Sequence, residues 1–154
     1  MRRLFKGAMA GLVATIPMSI SMLIGWSLLP RREKYHLPPR LLTEEIAERA
    51  GIEGRMSEAE LTSASVLSHF GYGALAGSTY ALLERKIPVA SSLKGGVAGL
   101  LVWGLSYLGW VPVLKILPSA TEHPWRRNLI MILAHLVWGV TLGEVTQKLM
   151  IKED

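Results

Sequence analysis

The chain has 154 residues, enough for one compact unit; half are hydrophobic and only 19% are charged. A mean hydropathy of +0.32, with charges gathered between long uncharged stretches, excludes an ordinary soluble domain and indicates an integral membrane protein. The net charge of +5 falls beside apolar spans and reads as contact with anionic lipid headgroups rather than nucleic acid, while the lack of cysteine removes disulfides, thiolate metal sites and a cysteine nucleophile.

Behind Arg2, Arg3 and Lys6, residues 7–29 carry no charge. That run exceeds the roughly 7–15 residues of a signal-peptide core, and no small-x-small cleavage site precedes Pro30, so a retained first transmembrane helix is predicted. Pro17 should kink it by removing one backbone donor. Residues 30–56 form a polar connection. Within it, Leu41, Leu42, Ile46 and Ala50 alternate with Glu44, Glu45, Glu48 and Arg49 at helical spacing, predicting a short amphipathic helix on the membrane surface with the carboxylates on its solvated side. Gly51 and Gly54 end it.

Ser57-Glu-Ala-Glu60 is a capping box and opens the second predicted span, Leu61 to Leu83, whose Ser, Thr and Gly suit contact with other helices. Glu84-Arg85-Lys86 with Pro88 makes a turn. The third span is predicted from Gly95 to Val113, and Lys115 to Arg127 is the next connection. The fourth span is Asn128 to Leu149, with Glu144 one turn from Lys148, and a short charged tail follows. The fold class is therefore all-α: four transmembrane helices plus one amphipathic helix, in a single membrane domain over residues 1–154.

The chain repeats itself. His69-x3-Gly73-x3-Gly77 recurs as His135-x3-Gly139-x3-Gly143, each with an aromatic before the middle glycine. Lys6-Gly7-x-x-Ala10-Gly11-Leu12 recurs as Lys94-Gly95-x-x-Ala98-Gly99-Leu100, and Leu29-Pro30 as Leu117-Pro118. His36 with Arg40 resembles His123 with Arg126. Two tandem helix hairpins, about 6–84 and 94–149, follow from this, the amphipathic helix belonging to the first only. Each holds two spans, so the repeats are parallel and related by an axis along the membrane normal. Lys and Arg are denser in the N-terminus, central turn and tail than in the other two connections, favouring both ends in the cytoplasm.

The K/G-x-x-A-G start, the Pro38-Pro39-Arg40 loop and the H-x3-G-x3-G spans together resemble the YagU-like bacterial inner-membrane family, a domain of unknown function. The resemblance implies an inner-membrane location, about four helices and a link to acid tolerance or envelope stress. It brings no catalytic residues.

Three groups of residues are candidate sites. His69 and His135 lie at equal depth in their spans. They are either neutral imidazoles bonded across helices or a titrating pair for proton or solute transfer; as axial ligands they would allow haem, the one cofactor considered. Glycines 7, 11, 73, 77, 95, 99, 139 and 143 fall four apart on single helix faces and are assigned to helix packing, since none follows a strand as a phosphate loop would. His36, Arg40, His123 and Arg126 lie on loops at one membrane face, either as interfacial anchors or as a rim for an anionic headgroup or solute. No nucleophile–base pair, carboxylate pair or metal motif stands out. The predicted reading is a small membrane protein without enzymatic chemistry, an oligomerising scaffold or stress protein; the alternative is a transporter or proton-conducting bundle using the histidines. Lipids are the expected partners, and a homo-oligomer is compatible with the glycine faces.

Overall fold

The computed structural model describes residues 1–84 and 88–151. Arg85 and Lys86 of the expected central turn and Lys152 of the expected tail lie outside the described residues. Six α-helices follow in order: α1 Arg2–Ser27, α2 Pro38–Arg49, α3 Glu58–Leu83, α4 Ser91–Gly104, α5 Val111–Val113 and α6 Trp125–Ile151. A π-helical stretch, Leu105–Trp110, links α4 to α5, and no strand occurs among the described residues.

Local chemistry accounts for the helix ends. Proline at the start of α2 has its φ already helical and gives up an amide that would have no helical partner. Gly51 closes α2 in a left-handed conformation (φ +67°), with the Ile52 amide donating to the Ala47 carbonyl and the Gly51 amide to Glu48. At the start of α3 the capping box is formed: the Ser57 hydroxyl accepts from the Glu60 amide (3.3 Å), and the Glu60 carboxylate accepts from the Ser57 amide (2.7 Å). Helix α1 runs on through Pro17, while Thr15 and Ser19 return their hydroxyls to the carbonyls of Gly11 and Thr15 at 2.8 Å.

The long helices pack in the order α3, α1, α6, α4, with α2 against α3. Where lipid is as apolar as leucine, helices associate through close van der Waals contact, which small residues permit. Helix α1 buries Gly7, Ala10, Gly11, Ala14, Thr15, Met18 and Met22; α6 buries Met131, Ala134, His135, Trp138, Gly139, Leu142, Gly143 and Thr146. Gly7 lies against the Gly77 carbonyl and Gly11 against the Gly73 carbonyl. In α4 and α6, Gly95 lies against the Gly139 carbonyl, Gly99 against the His135 carbonyl, and Gly143 against the Ser91 carbonyl. A Cβ at any of these five would overlap backbone.

Among the described residues, three segments are long and apolar enough to cross a membrane: α1, the stretch Ser91–Val113, and α6. Helix α3, the expected second span, is not among them, because its Ser, Thr, Gly and His dilute an otherwise apolar 26-residue helix. The stretch 95–113 is also not the uninterrupted α-helix expected. Pro112 lacks an amide and its ring would collide with the carbonyl four residues back; the π-helical turn and the non-helical Gly109 (φ −111°, ψ −110°) open the helix there. The chain then turns at Lys115 (φ +54°), with the Ile116 amide donating to Val111 and the Lys115 amide to Pro112.

A rotation about the membrane normal would carry the α1–α6 contact onto an α4–α3 contact. Helices α1 and α6 pack closely, whereas α3 and α4 meet only sparsely. The hairpins share their internal glycine contacts but not a closed symmetric interface, and a cleft remains between α3 and α4.

Candidate functional site

That cleft holds a cavity of about 420 Å³. Helix α1 contributes Thr15, Met18 and Met22 to its wall; α3 contributes His69, Tyr72 and Ala76. The opened end of the α4 segment adds Ser106, Tyr107 and Trp110, and α6 adds His135 and Trp138. The amphipathic helix α2 closes it with Leu42, Ile46 and Ala47. Among the described residues, no Asp, Glu, Lys or Arg lines it. Across the cleft, the Tyr72 hydroxyl and Ser106 Oγ lie 3.0 Å apart and form one hydrogen bond.

Helix α2 is clamped from both sides. From its C-terminal end, the Arg49 guanidinium donates to the carbonyls of Leu114 (2.9 Å) and Lys115 (2.5 Å), which the end of α5 leaves without helical partners. From its start, Arg40 donates to Glu44 on its own helix and to Glu58 (2.8 Å) and Thr62 (3.1 Å) on α3. Glu44 is thus a clamp rather than part of a solvated face, whereas Glu48 is exposed and Glu45 pairs with Arg49 at 2.8 Å.

His69 and His135, on different hairpins, line this one cavity. The His135 ring is buried and sits edge-on to Tyr107, with centroids 5.9 Å apart. Its Nδ1 lies 2.7 Å from the Met131 carbonyl, which can only accept, so Nδ1 carries the proton and Nε2 keeps a free lone pair. His69 Nε2 is enclosed and has no hydrogen-bond partner. A second cavity of about 510 Å³, between α1, α3 and the first connection, is lined by Trp26, Tyr35, His36, Arg40 and Glu58, and shares His69, Met22 and Pro39 with the first. His69 therefore stands in the wall between them.

Arg40 and Arg126, expected on loops, lie in the first turns of α2 and α6, and with His36 and His123 they do not converge on one open basic rim. His36 Nδ1 is 3.3 Å from Glu44, Arg40 is held by Glu44 and Glu58, and Arg126 is 3.2 Å from Glu33. Burial works to raise the Glu44 pKa, but hydrogen bonds from Arg40 and His36 outweigh it and hold the carboxyl below its ordinary value. The Glu44 bond also raises the Arg40 guanidinium, against burial. Burial lowers His123, and the charge of Arg127 adds to the effect. Tyr35 is pushed up by burial, and Arg127 stacks over its ring at 4.0 Å. Elsewhere, Glu144 accepts from Ser91 Oγ at 2.9 Å and makes no ion pair with Lys148 among the described residues.

Haem would fit this cavity only in part. Two imidazoles are available, but no lining cation could receive a propionate. No group of three or more His, Asp or Glu able to hold a metal occurs among the described residues.

Residues 18–143 match the model of a family described as "Protein of unknown function (DUF1440)", consistent with the YagU-like resemblance. No curated protein and no solved structure matches the chain.

Proposed function

We propose, from the premise that the chain belongs to the DUF1440 family of proteins of unknown function, that it is a small integral membrane protein without enzymatic chemistry whose working part is a solute-binding chamber within the bilayer. The observation that carries this reading is the convergence of His69 and His135, from different hairpins, on one cavity that has no charged lining residue among those described. Ionisable side chains inside membrane helices are costly, so a pair turned to a common space marks a working site by default. A catalytic role has little support, because the lining offers imidazoles and hydroxyls but no carboxylate to orient a base or share a proton.

Helix α3 would serve as the fourth crossing, giving a 2+2 arrangement of parallel hairpins with both ends at the cytoplasmic side of a bacterial inner membrane. In support, α3 is 26 residues long, and its glycines meet α1 as those of α6 meet α4. The density of Lys and Arg in the short segments favours this orientation. A transport reading also has one observation behind it: His69 stands between the two cavities, where it could pass a solute or proton from chamber to rim.

The chain has no cysteine, so single cysteines can test the chamber cleanly. Val102 lines it, and Leu101 beside it is 59% exposed on the outer surface. Maleimide reacts with thiolate, which needs water nearby. In native membranes the Val102→Cys protein should react with a small uncharged maleimide faster than the Leu101→Cys protein. No reaction at Val102→Cys in the folded protein would overturn the chamber reading.

A further inference from the structure

The chemistry of the chamber wall narrows what it can hold. With no Lys or Arg among the described lining residues, an anionic group would enter without a countercharge; with no Asp or Glu among them, a cation would fare no better. An occupant must therefore be uncharged. Most of the wall is apolar or aromatic, with Met18, Met22, Leu42, Ile46, Trp110 and Trp138, so the body of the occupant must be apolar as well. About 420 Å³ falls within the range of small-molecule sites, roughly 300–1,000 Å³.

The polar requirement comes from the histidines. Because Nδ1 of His135 donates to the Met131 carbonyl, its Nε2 can only accept. Nε2 of His69 is enclosed without any partner and, with neither ring nitrogen bonded, can serve as donor or as acceptor. Tyr72 and Ser106 satisfy one another and compete little for a newcomer. Nε2 of His135 is thus an acceptor on the cavity wall that no donor of the described residues meets. Resting on the chamber reading above, we propose that the cavity binds an uncharged apolar molecule bearing a hydroxyl group, of the alkylphenol or long-chain alcohol class, with the hydroxyl donating to Nε2 of His135. The sparsely packed cleft between α3 and α4, bridged by the Tyr72–Ser106 bond, gives such a molecule a way in from the lipid.

The test uses the full chain in native membranes and the Val102→Cys labelling rate, with three probes of matched body: 4-octylphenol, 4-octylanisole and octylbenzene. Only the first can donate. The phenol should slow labelling at about tenfold lower concentration than the ether, the size of one unmade buried hydrogen bond. In the His135→Phe protein that ratio should fall towards one. Should that protein not fold, His135→Leu, which also removes the acceptor but fills less space, serves in its place. Equal protection by phenol and ether in the protein with both histidines would overturn the inference and leave the chamber standing. A ratio unchanged in the protein lacking His135 would also overturn it. An absence of labelling without any probe would overturn the chamber itself.

Discussion

Replacing Gly139 with alanine isolates the contact that fixes the second hairpin. The added Cβ would overlap the Gly95 carbonyl oxygen and lie 2.9 Å from both the Gly95 carbonyl carbon and the Gly99 amide. All three are backbone atoms, so no rotamer change relieves the clash; α4 and α6 must part. Overpacking of a filled interior costs typically about 1–3 kcal/mol, and backbone against backbone belongs at the upper end. Gly73, the corresponding glycine of α3, meets something softer. Its Cβ would strike the Thr15 hydroxyl, which can rotate away by giving up its 2.8 Å bond to the Gly11 carbonyl, a loss of about 0.5–1.5 kcal/mol. Gly71 has nothing within 4 Å of its Cβ position, so alanine there should be neutral or stabilising by up to about 1 kcal/mol. The three proteins, unfolded by SDS in mixed micelles and followed by circular dichroism, should rank Gly71→Ala, Gly73→Ala, Gly139→Ala from most to least stable. A Gly139→Ala protein as stable as Gly73→Ala would refute the reasoning, since the two differ in whether backbone or side chain must yield.

Three further outcomes follow from the clamps and the histidines. Arg49→Ala removes both bonds to the carbonyls of residues 114 and 115, so hydrogen exchange across residues 38–49 should accelerate while the α1–α6 core keeps its protection. Because the Glu44 pKa is depressed on folding, its contribution is complete above the ordinary carboxylate value and is lost as pH falls through the depressed one; exchange in α2 should rise over that acid window and show no such step in Glu44→Gln. His69→Gln should leave stability within about 0.5 kcal/mol, because His69 Nε2 makes no bond, while His135→Gln should cost about 1 kcal/mol or more through the lost Met131 contact and poorer packing on Tyr107; equal effects in the SDS titration would contradict the different surroundings described for the two rings.

Much of the fold follows from short-range signals whose physics is local. Uncharged runs, the Ser57–Glu60 capping box, Gly51 after an amphipathic repeat and glycines four apart each act within one or two helical turns, so the elements they set lie close to their expected places. The site depends on relations the sequence does not order. That His69 and His135 share a cavity follows from α3 standing off from α4, a matter of how two hairpins dock rather than of any motif. The partners of Arg49 lie 65 and 66 residues away, and the signal for them is indirect: an arginine near the end of one helix, and a Gly109–Pro112 pair that breaks another and leaves its last carbonyls free. The basic residues at the connections and helix starts show the same limit in reverse. Their grouping at one face is legible, but each of His36, Arg40 and Arg126 is met by a carboxylate whose position only the folded connection decides. The amphipathic helix brings the two kinds of information together. Its apolar stripe is plain in Leu42 and Ile46, yet the surface it covers is the cleft that the unequal docking of the hairpins leaves open. The connection between α1 and α3, which has no helix of this kind to match it between α4 and α6, thus closes the cleft.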